Sequence, residues 1–341
     1  MNSRFWIVFF LIIFLVGCTQ SVSDNSKPVL TIYAYDSFVS EYGLAPKIVP
    51  LFEQDCNCKI NMLAKGDAGQ MLSTLVLEKQ NPKADLVIGI DNSMLSQALR
   101  ADILESFTPG NINLVPEYLL FDSTHHLTPY DFGFFAFVYD SEKLNAPLTS
   151  FEDLKNSELT KKIAIQNPRT SSPGLGLLLW TIAVYGDPGY KEFWQTFKSN
   201  ILTVTSGWDE SAGLFSAGEV PIYLSYATSP PYYFEFEDIN HYWAAQFQEG
   251  HYIQIEGLGI VKGTSKRKLA EQFIEFALTE KFQKEIPFTQ FMYPANSAVD
   301  LPEAFENYAF MPEKILQLNS EQIAEKQEGW MVEWEKIMTS G

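Results

Sequence analysis

Three stretches of this sequence carry residue types suited to holding a small molecule, and none carries a complete catalytic set. In Lys65-Gly66-Asp67-Ala68-Gly69 a carboxylate stands among glycines, so backbone can approach a ligand closely while Asp67 meets a cation or an amine donor. Asp67 also suits the N-cap of a helix beginning near Gly69, and both roles stay open. In Asn167-Pro168-Arg169-Thr170-Ser171-Ser172-Pro173-Gly174 either serine can cap a helix that starts at Pro173. Free N–H groups and the positive dipole end would there accept an anion, or the cap stands with nothing bound. The stretch is not a P-loop, because no Gly-Lys-Ser/Thr follows. Aromatic residues gather in further loops: Trp208 after Ser206-Gly207, then Tyr226, Tyr232 and Tyr233 in the run Leu224-Ser225-Tyr226-Ala227-Thr228-Ser229-Pro230-Pro231-Tyr232-Tyr233, and Phe291 before Met292-Tyr293-Pro294. A single aromatic at a strand end usually belongs to a core. Several beside an acidic residue fit a site for a flat cationic ring, each desolvated cation–π contact contributing about 0.5–2 kcal/mol.

The elements that must position these loops alternate. Short apolar runs at 29–35, 59–63, 85–90, 134–139, 163–166, 202–205 and 221–226 read as strands. Amphipathic stretches at 69–78, 93–101, 174–185, 190–198, 208–217 and 266–278 read as helices, with a last helix at 320–338 and an extended apolar segment at 251–263. The alternation predicts α/β architecture in two lobes, each a mixed, mostly parallel sheet flanked by helices, with crossings near 132–140 and 252–261. Ligands of open α/β sheets bind beyond the carboxyl ends of strands, where the loops above fall. The expected division is a signal peptide at 1–17, a tether at 18–28, a first lobe at 29–132, a second at 133–255 and a return to the first at 256–341.

The 341 residues are 46% hydrophobic, enough for sizeable cores, and 42 acidic against 24 basic residues leave a net charge of -18. Such a chain is repelled by phosphate backbones, so nucleic acid is no partner. Arg4 precedes twelve apolar residues, 5–16, too few for the roughly 20 that span a bilayer. They end in Leu15-Val16-Gly17-Cys18, which resembles a bacterial lipobox and predicts a lipid anchor on Cys18; the plainer alternative is a cleaved signal with an unmodified Cys. Cys56 and Cys58 could form a local disulfide or half a metal site, and no second pair completes one. The histidines, His125, His126, His241 and His251, show no ligand spacing.

The stretches YAYDSF, FEQDCNC, KADLVIGIDN, YDFGFFAFVYD, NPRTSSPGLGLLLW, TVTSGWDE, LSYATSPPYY, EGHYIQ and MYPANS, in this order from about Lys27 onward, resemble the periplasmic thiamine-binding proteins of bacterial ABC importers. The resemblance implies a two-lobed, type II periplasmic-binding-protein fold that closes on thiamine, its monophosphate or its diphosphate. It implies ligand contacts at Tyr35, Asp67, Ala68, Ser171, Ser172, Trp208, Tyr226, Ala227, Thr228, Ser229, Tyr232 and Phe291. Ala68 stands where the family has Gly, and Phe291 where a relative has Trp, which keeps a ring but weakens its quadrupole and removes the indole N–H. The implied protein is a monomer without cofactor, catalytic residue or resident metal. Its partners are an ABC permease and ATPase, with the membrane reached through the lipid anchor.

Two other functions share this fold. Ferric-ion-binding proteins hold iron through adjacent tyrosines, which Tyr232-Tyr233 invites. A thiamine-degrading transferase uses a cysteine nucleophile, but Cys56 and Cys58 precede the second strand, away from the loops expected in the cleft, and no nucleophile elbow or metal-hydrolase signature is present.

Overall fold

The computed structural model describes residues 27–340; the expected signal peptide, Cys18 and most of the expected tether lie outside the described residues. Its strands are β1 (Val29–Ala34), β2 (Lys59–Ala64), β3 (Leu86–Asp91), β4 (Leu104–Glu105), β5 (Thr128–Asp140), β6 (Ile163–Gln166), β7 (Ile201–Thr205), β8 (Ile222–Tyr226), β9 (Tyr242–Ala244), β10 (His251–Val261), β11 (Tyr293–Pro294) and β12 (Ile315–Leu316). The long ones run side by side in the order β2-β1-β3-β10-β5-β8-β6-β7. Each end of this path is parallel: β1 pairs with β2 and β3, and β6 with β7 and β8. The middle is antiparallel, through β3–β10, β10–β5 and β5–β8.

β3, β5 and β10 are buried along their whole length. Strands covered on both faces read as continuous apolar runs rather than alternating ones, which is why they stand out in the sequence. β5 is a crossing strand. Its residues from Thr128 to Phe134 pair with β10, while Phe135 to Tyr139 pair with β8. It starts earlier than the apolar run suggests, because Pro129 and the acidic Asp131 interrupt that run. Pro129 is accommodated beside a register shift in the β10 pairing, a place where a missing N–H costs little.

Apart from four α-helices of six residues or fewer, two α-helices among the described residues were not legible from periodicity, Ala45–Cys56 and Pro230–Glu237. Both carry prolines in the first turn, where the ring's fixed φ suits the helix and the absent N–H has no helical partner to lose. Read as turn signals, the prolines mask the start. At the far end of Ala45–Cys56, Asn57 adopts a left-handed φ of 51° and Cys56 and Cys58 are joined as a disulfide, which decides between the two roles left open for them.

One half of the molecule packs around Phe38, Phe52, Phe273, Phe276 and Phe282. The other packs around Phe137, Phe151, Trp180, Phe193 and Phe197, where Trp180 Nε1 donates to the Gly250 carbonyl at 2.9 Å. His251 belongs to this core: its ring contacts Trp180, Nδ1 lies 2.8 Å from the Phe135 carbonyl and Nε2 accepts from the Phe247 N–H. Burial pulls its pKa down to about 4, so the ring is neutral. The helix Ser320–Thr339 ties the halves together, receiving Arg100 Nη1 on the Ala324 carbonyl and pairing Glu328 and Glu335 with Arg169.

Candidate ligand-binding groove

The carboxyl ends of β1, β2, β7 and β8, together with the helix that follows β6, open onto one groove of about 720 Å³. That volume lies within the roughly 300–1,000 Å³ typical of small-organic-ligand sites. Tyr35 enters it directly after β1. Its ring fits only because Gly89 has no side chain: a Cβ there would come within 2.3 Å of the ring, and Gly89 has a φ of +102°. The Tyr35 hydroxyl lies 2.7 Å from Gln290 Oε1, 2.9 Å from Glu256 Oε2 and 3.0 Å from the Tyr130 hydroxyl.

Asp67 takes the capping role, and its second carboxylate oxygen bonds across the groove. Its Oδ1 accepts from the Ala68 N–H at 2.6 Å and Gln70 completes a capping box on the helix Ala68–Glu78. Its Oδ2 accepts from the Trp208 N–H at 2.9 Å, across the groove. Burial raises the Asp67 carboxyl above the usual carboxylate range, opposed by the Ala68 and Trp208 N–H groups. The Ser171 hydroxyl is turned toward Asp67 but makes no hydrogen bond of good geometry. Two further bonds bridge the same gap: the Gln70 N–H donates to the Thr170 carbonyl at 3.2 Å, and the Tyr42 hydroxyl to Asp209 Oδ1 at 3.0 Å. Groups from both halves are in contact, so the groove is clasped at this rim.

The opposite wall is aromatic. Trp208 begins the helix Trp208–Ser216, its Nε1 donating to Ser225 Oγ at 2.9 Å. Ser225 and Ser229 share a hydroxyl contact at 2.7 Å, and Ser229 Oγ accepts from the Tyr226 N–H. Tyr226 rests on Phe135 with ring centroids 5.3 Å apart. Tyr232 meets Phe291 edge to face at 5.2 Å. Phe291 has a left-handed φ of 51°, an unusual conformation for a bulky residue that neighbouring structure must hold.

Of the expected contact residues, Tyr35, Asp67, Ser172, Trp208, Tyr226, Ser229, Tyr232 and Phe291 line the groove. Ala68, Ser171, Ala227 and Thr228 do not reach its surface; all four are buried behind it, the first and third in hydrophobic cores. Ser172 Oγ accepts from Gln254 Nε2 at 3.1 Å. Tyr233 also borders the groove, but its hydroxyl bonds that of Tyr223 at 2.9 Å, so it does not pair with Tyr232 as a metal-binding couple. His241 stands outside the groove lining beside Asp140 and Glu142, and the Lys143 ammonium already neighbours Asp140 at 3.4 Å.

Sequence reading missed Glu256, Tyr42, Asp209 and Gln290. Glu256 had a signal, a lone acid inside the apolar stretch 251–263; Tyr42 and Gln290 in turns and Asp209 in the first turn of the helix Trp208–Ser216 had none. Counted over its lining, the groove holds seven carboxylates (Asp36, Glu41, Asp67, Asp209, Glu210, Glu256, Glu285) against one ammonium, Lys47. Such a cavity concentrates cations. Beneath it lie Asp91 and Asp131, both fully buried. Burial pushes Asp91 up to about 7, with the Glu256 charge adding to the rise.

The chain resembles known proteins over almost its full length. It is 40% identical to the thiamine-binding periplasmic protein of Salmonella typhimurium, over 92% of this chain and 94% of that one. It is 39% identical to that of Escherichia coli, over 95% and 97%. A solved periplasmic thiamin binding protein superposes with a TM-score of 0.87 at 38% identity, over 92% of this chain and 97% of the other. The apo ferric ion-binding protein A of Pasteurella haemolytica, 17% identical with a TM-score of 0.74, shares the fold alone. The architecture is the type II periplasmic-binding-protein fold. Residues 81–315 match the family model described as bacterial extracellular solute-binding protein, and the chain belongs to that family.

Proposed function

We propose that this protein captures thiamine outside the cytoplasm and delivers it to an ABC importer. The observation that carries this reading is the groove itself: tilted and edge-on aromatic rings on one wall, and seven carboxylates against one lysine around it, suit a flat cation. Relatives at 39–40% identity named as thiamine-binding support the choice of that cation. Trp208 and Tyr226 stack on the rings, Asp67 accepts from the aminopyrimidine or offsets the thiazolium, and Ser172 at the start of its helix receives the hydroxyethyl or phosphate end. The groove contacts of both halves stabilise the closed form, which docks on the permease. The protein acts as a carrier rather than an enzyme, since its described cysteines are joined to each other and stand apart from the groove lining. It works as a monomer anchored through lipid on Cys18.

Calorimetric titration of the soluble chain with thiamine, thiamine monophosphate and thiamine diphosphate tests the reading. Saturable one-to-one binding of thiamine is expected; no heat and no quenching of tryptophan fluorescence with any of the three would refute it. Tyr42→Phe removes a rim bond between partly exposed groups worth about 0.5 kcal/mol. Thiamine affinity is therefore expected to fall by only about twofold to threefold in the same titration.

A further inference from the structure

Asp131 on β5 and Glu256 on β10 stand directly opposite each other in the antiparallel pairing of the two central strands. They are 0% and 5% exposed. Glu256 Oε2 receives the Tyr35 and Tyr130 hydroxyls, each at 2.9 Å, whereas neither oxygen of Asp131 has a hydrogen-bond donor. The groups facing the pair from neighbouring elements are Tyr35 after β1, Asp67 at its helix start, Asp91 at the end of β3, Tyr130 on β5 and Tyr226 on β8. Every one is an acid or a phenol. Among the described residues no Lys, Arg or His forms an ion pair with Asp91, Asp131 or Glu256. Two buried carboxylates side by side without a cation do not both stay ionised, and one of them faces the groove.

We propose that Asp131 and Glu256 share one proton while the groove is empty and that a cationic ligand displaces it, so that this floor selects ligands by their positive charge. The inference rests on the thiamine reading and adds how the site recognises charge. The proton leaves to solvent as the ligand's fixed charge takes its place opposite the carboxylates, and the charge of the floor is balanced before and after. Burial holds both carboxyls above the ordinary range, and the Glu256 charge adds to the rise at Asp131, so the pair gives up its proton at a higher pH than free carboxyls do.

The test is titration calorimetry of the mature chain with thiamine in phosphate and in Tris, buffers of unlike ionisation heat, from pH 5.5 to 8. Wild type is expected to release protons on binding, with affinity falling by up to about tenfold for each pH unit below the pair's titration. The uncharged analogue with thiophene in place of thiazolium is expected to bind without proton release. Glu256→Gln is expected to abolish the release and to narrow the preference for the charged ligand, and Asp131→Asn, buried beneath the groove surface, to abolish the release and to flatten the pH dependence of affinity. Thiamine binding with equal heats in both buffers and no pH dependence overturns this proposal and leaves the thiamine reading intact. The ligand-free protein gives an independent arm. Because the folded acids hold protons more tightly than the unfolded ones, their contribution to stability is present at low pH and is lost as pH rises through the pair's titration. The melting temperature is expected to decline over that range, and less so in Asp131→Asn. That result without any thiamine binding would refute the ligand reading and keep the proton pair; a variant that melts in parallel with wild type overturns the pair.

Discussion

Trp208→Ala combined with Tyr226→Ala is expected to weaken thiamine binding by about 4 kcal/mol, roughly a thousandfold in the dissociation constant. An aromatic side chain buries about 150–250 Å². If a ligand covers a quarter of each ring, some 50 Å² per ring at about 25 cal/mol/Å² gives ~1.3 kcal/mol for each. A cation–π term of about 0.5–2 kcal/mol per ring adds to this, and neighbouring contacts lose some of the sum because they are not additive. The Trp208 change is clean in one respect: its backbone N–H, and hence the bond to Asp67, survives truncation. The Tyr226 change is less so, since the ring also rests on Phe135 and its loss leaves a gap in the core. The pair Trp208→Phe with Tyr226→Phe separates the two, keeping rings in place and retaining most of the affinity. An alanine pair that binds within tenfold of wild type, in a protein with an unchanged melting temperature, removes these rings from the site.

The second large effect falls on Asp67. Asp67→Ala deletes a helix cap worth about 1 kcal/mol and strips the Trp208 N–H of its acceptor, a loss of about 1–3 kcal/mol where that donor stays buried. The two consequences appear in different measurements. Loss of the cap lowers the melting temperature whether or not ligand is present, whereas loss of the bridge acts on the closed form and lowers thiamine affinity by about tenfold to a hundredfold. Asp67→Asn keeps one carbonyl oxygen for the cap and gives up the negative charge, so its stability is expected near wild type and its affinity between those of the other two proteins. Equal affinity in all three would leave Asp67 as a cap alone.

Most elements that build the groove were legible because each is local. β1, β2, β3 and β6 to β8 are short apolar runs bounded by polar loops, and the helices between them keep a helical period, so periodicity names them without reference to one another. What failed locally failed for identifiable reasons. Prolines in the first turns of Ala45–Cys56 and Pro230–Glu237 read as turns, and Pro129 with Asp131 hid the first half of β5. The contact residues divided in the same way. Tyr35 and Trp208 follow strands, Tyr226 ends one, and all three reach the groove, as residues at the carboxyl ends of an α/β sheet do. Ala227 and Thr228 occupy equally suggestive positions in the chain but turn inward behind Tyr226, and no sequence signal separates them from it.

By itself the sequence determined that this is a two-lobed α/β protein, strongly acidic, with aromatic and acidic loops at its strand ends, because composition, period and loop chemistry are properties of neighbours along the chain. Tertiary structure alone decided that Asp67 both caps its own helix and bonds Trp208, 141 residues away, and that Asp131 faces Glu256. Those meetings depend on the crossing of β5 and β10 and on strand register, where a slip of one residue would turn each side chain to the opposite face.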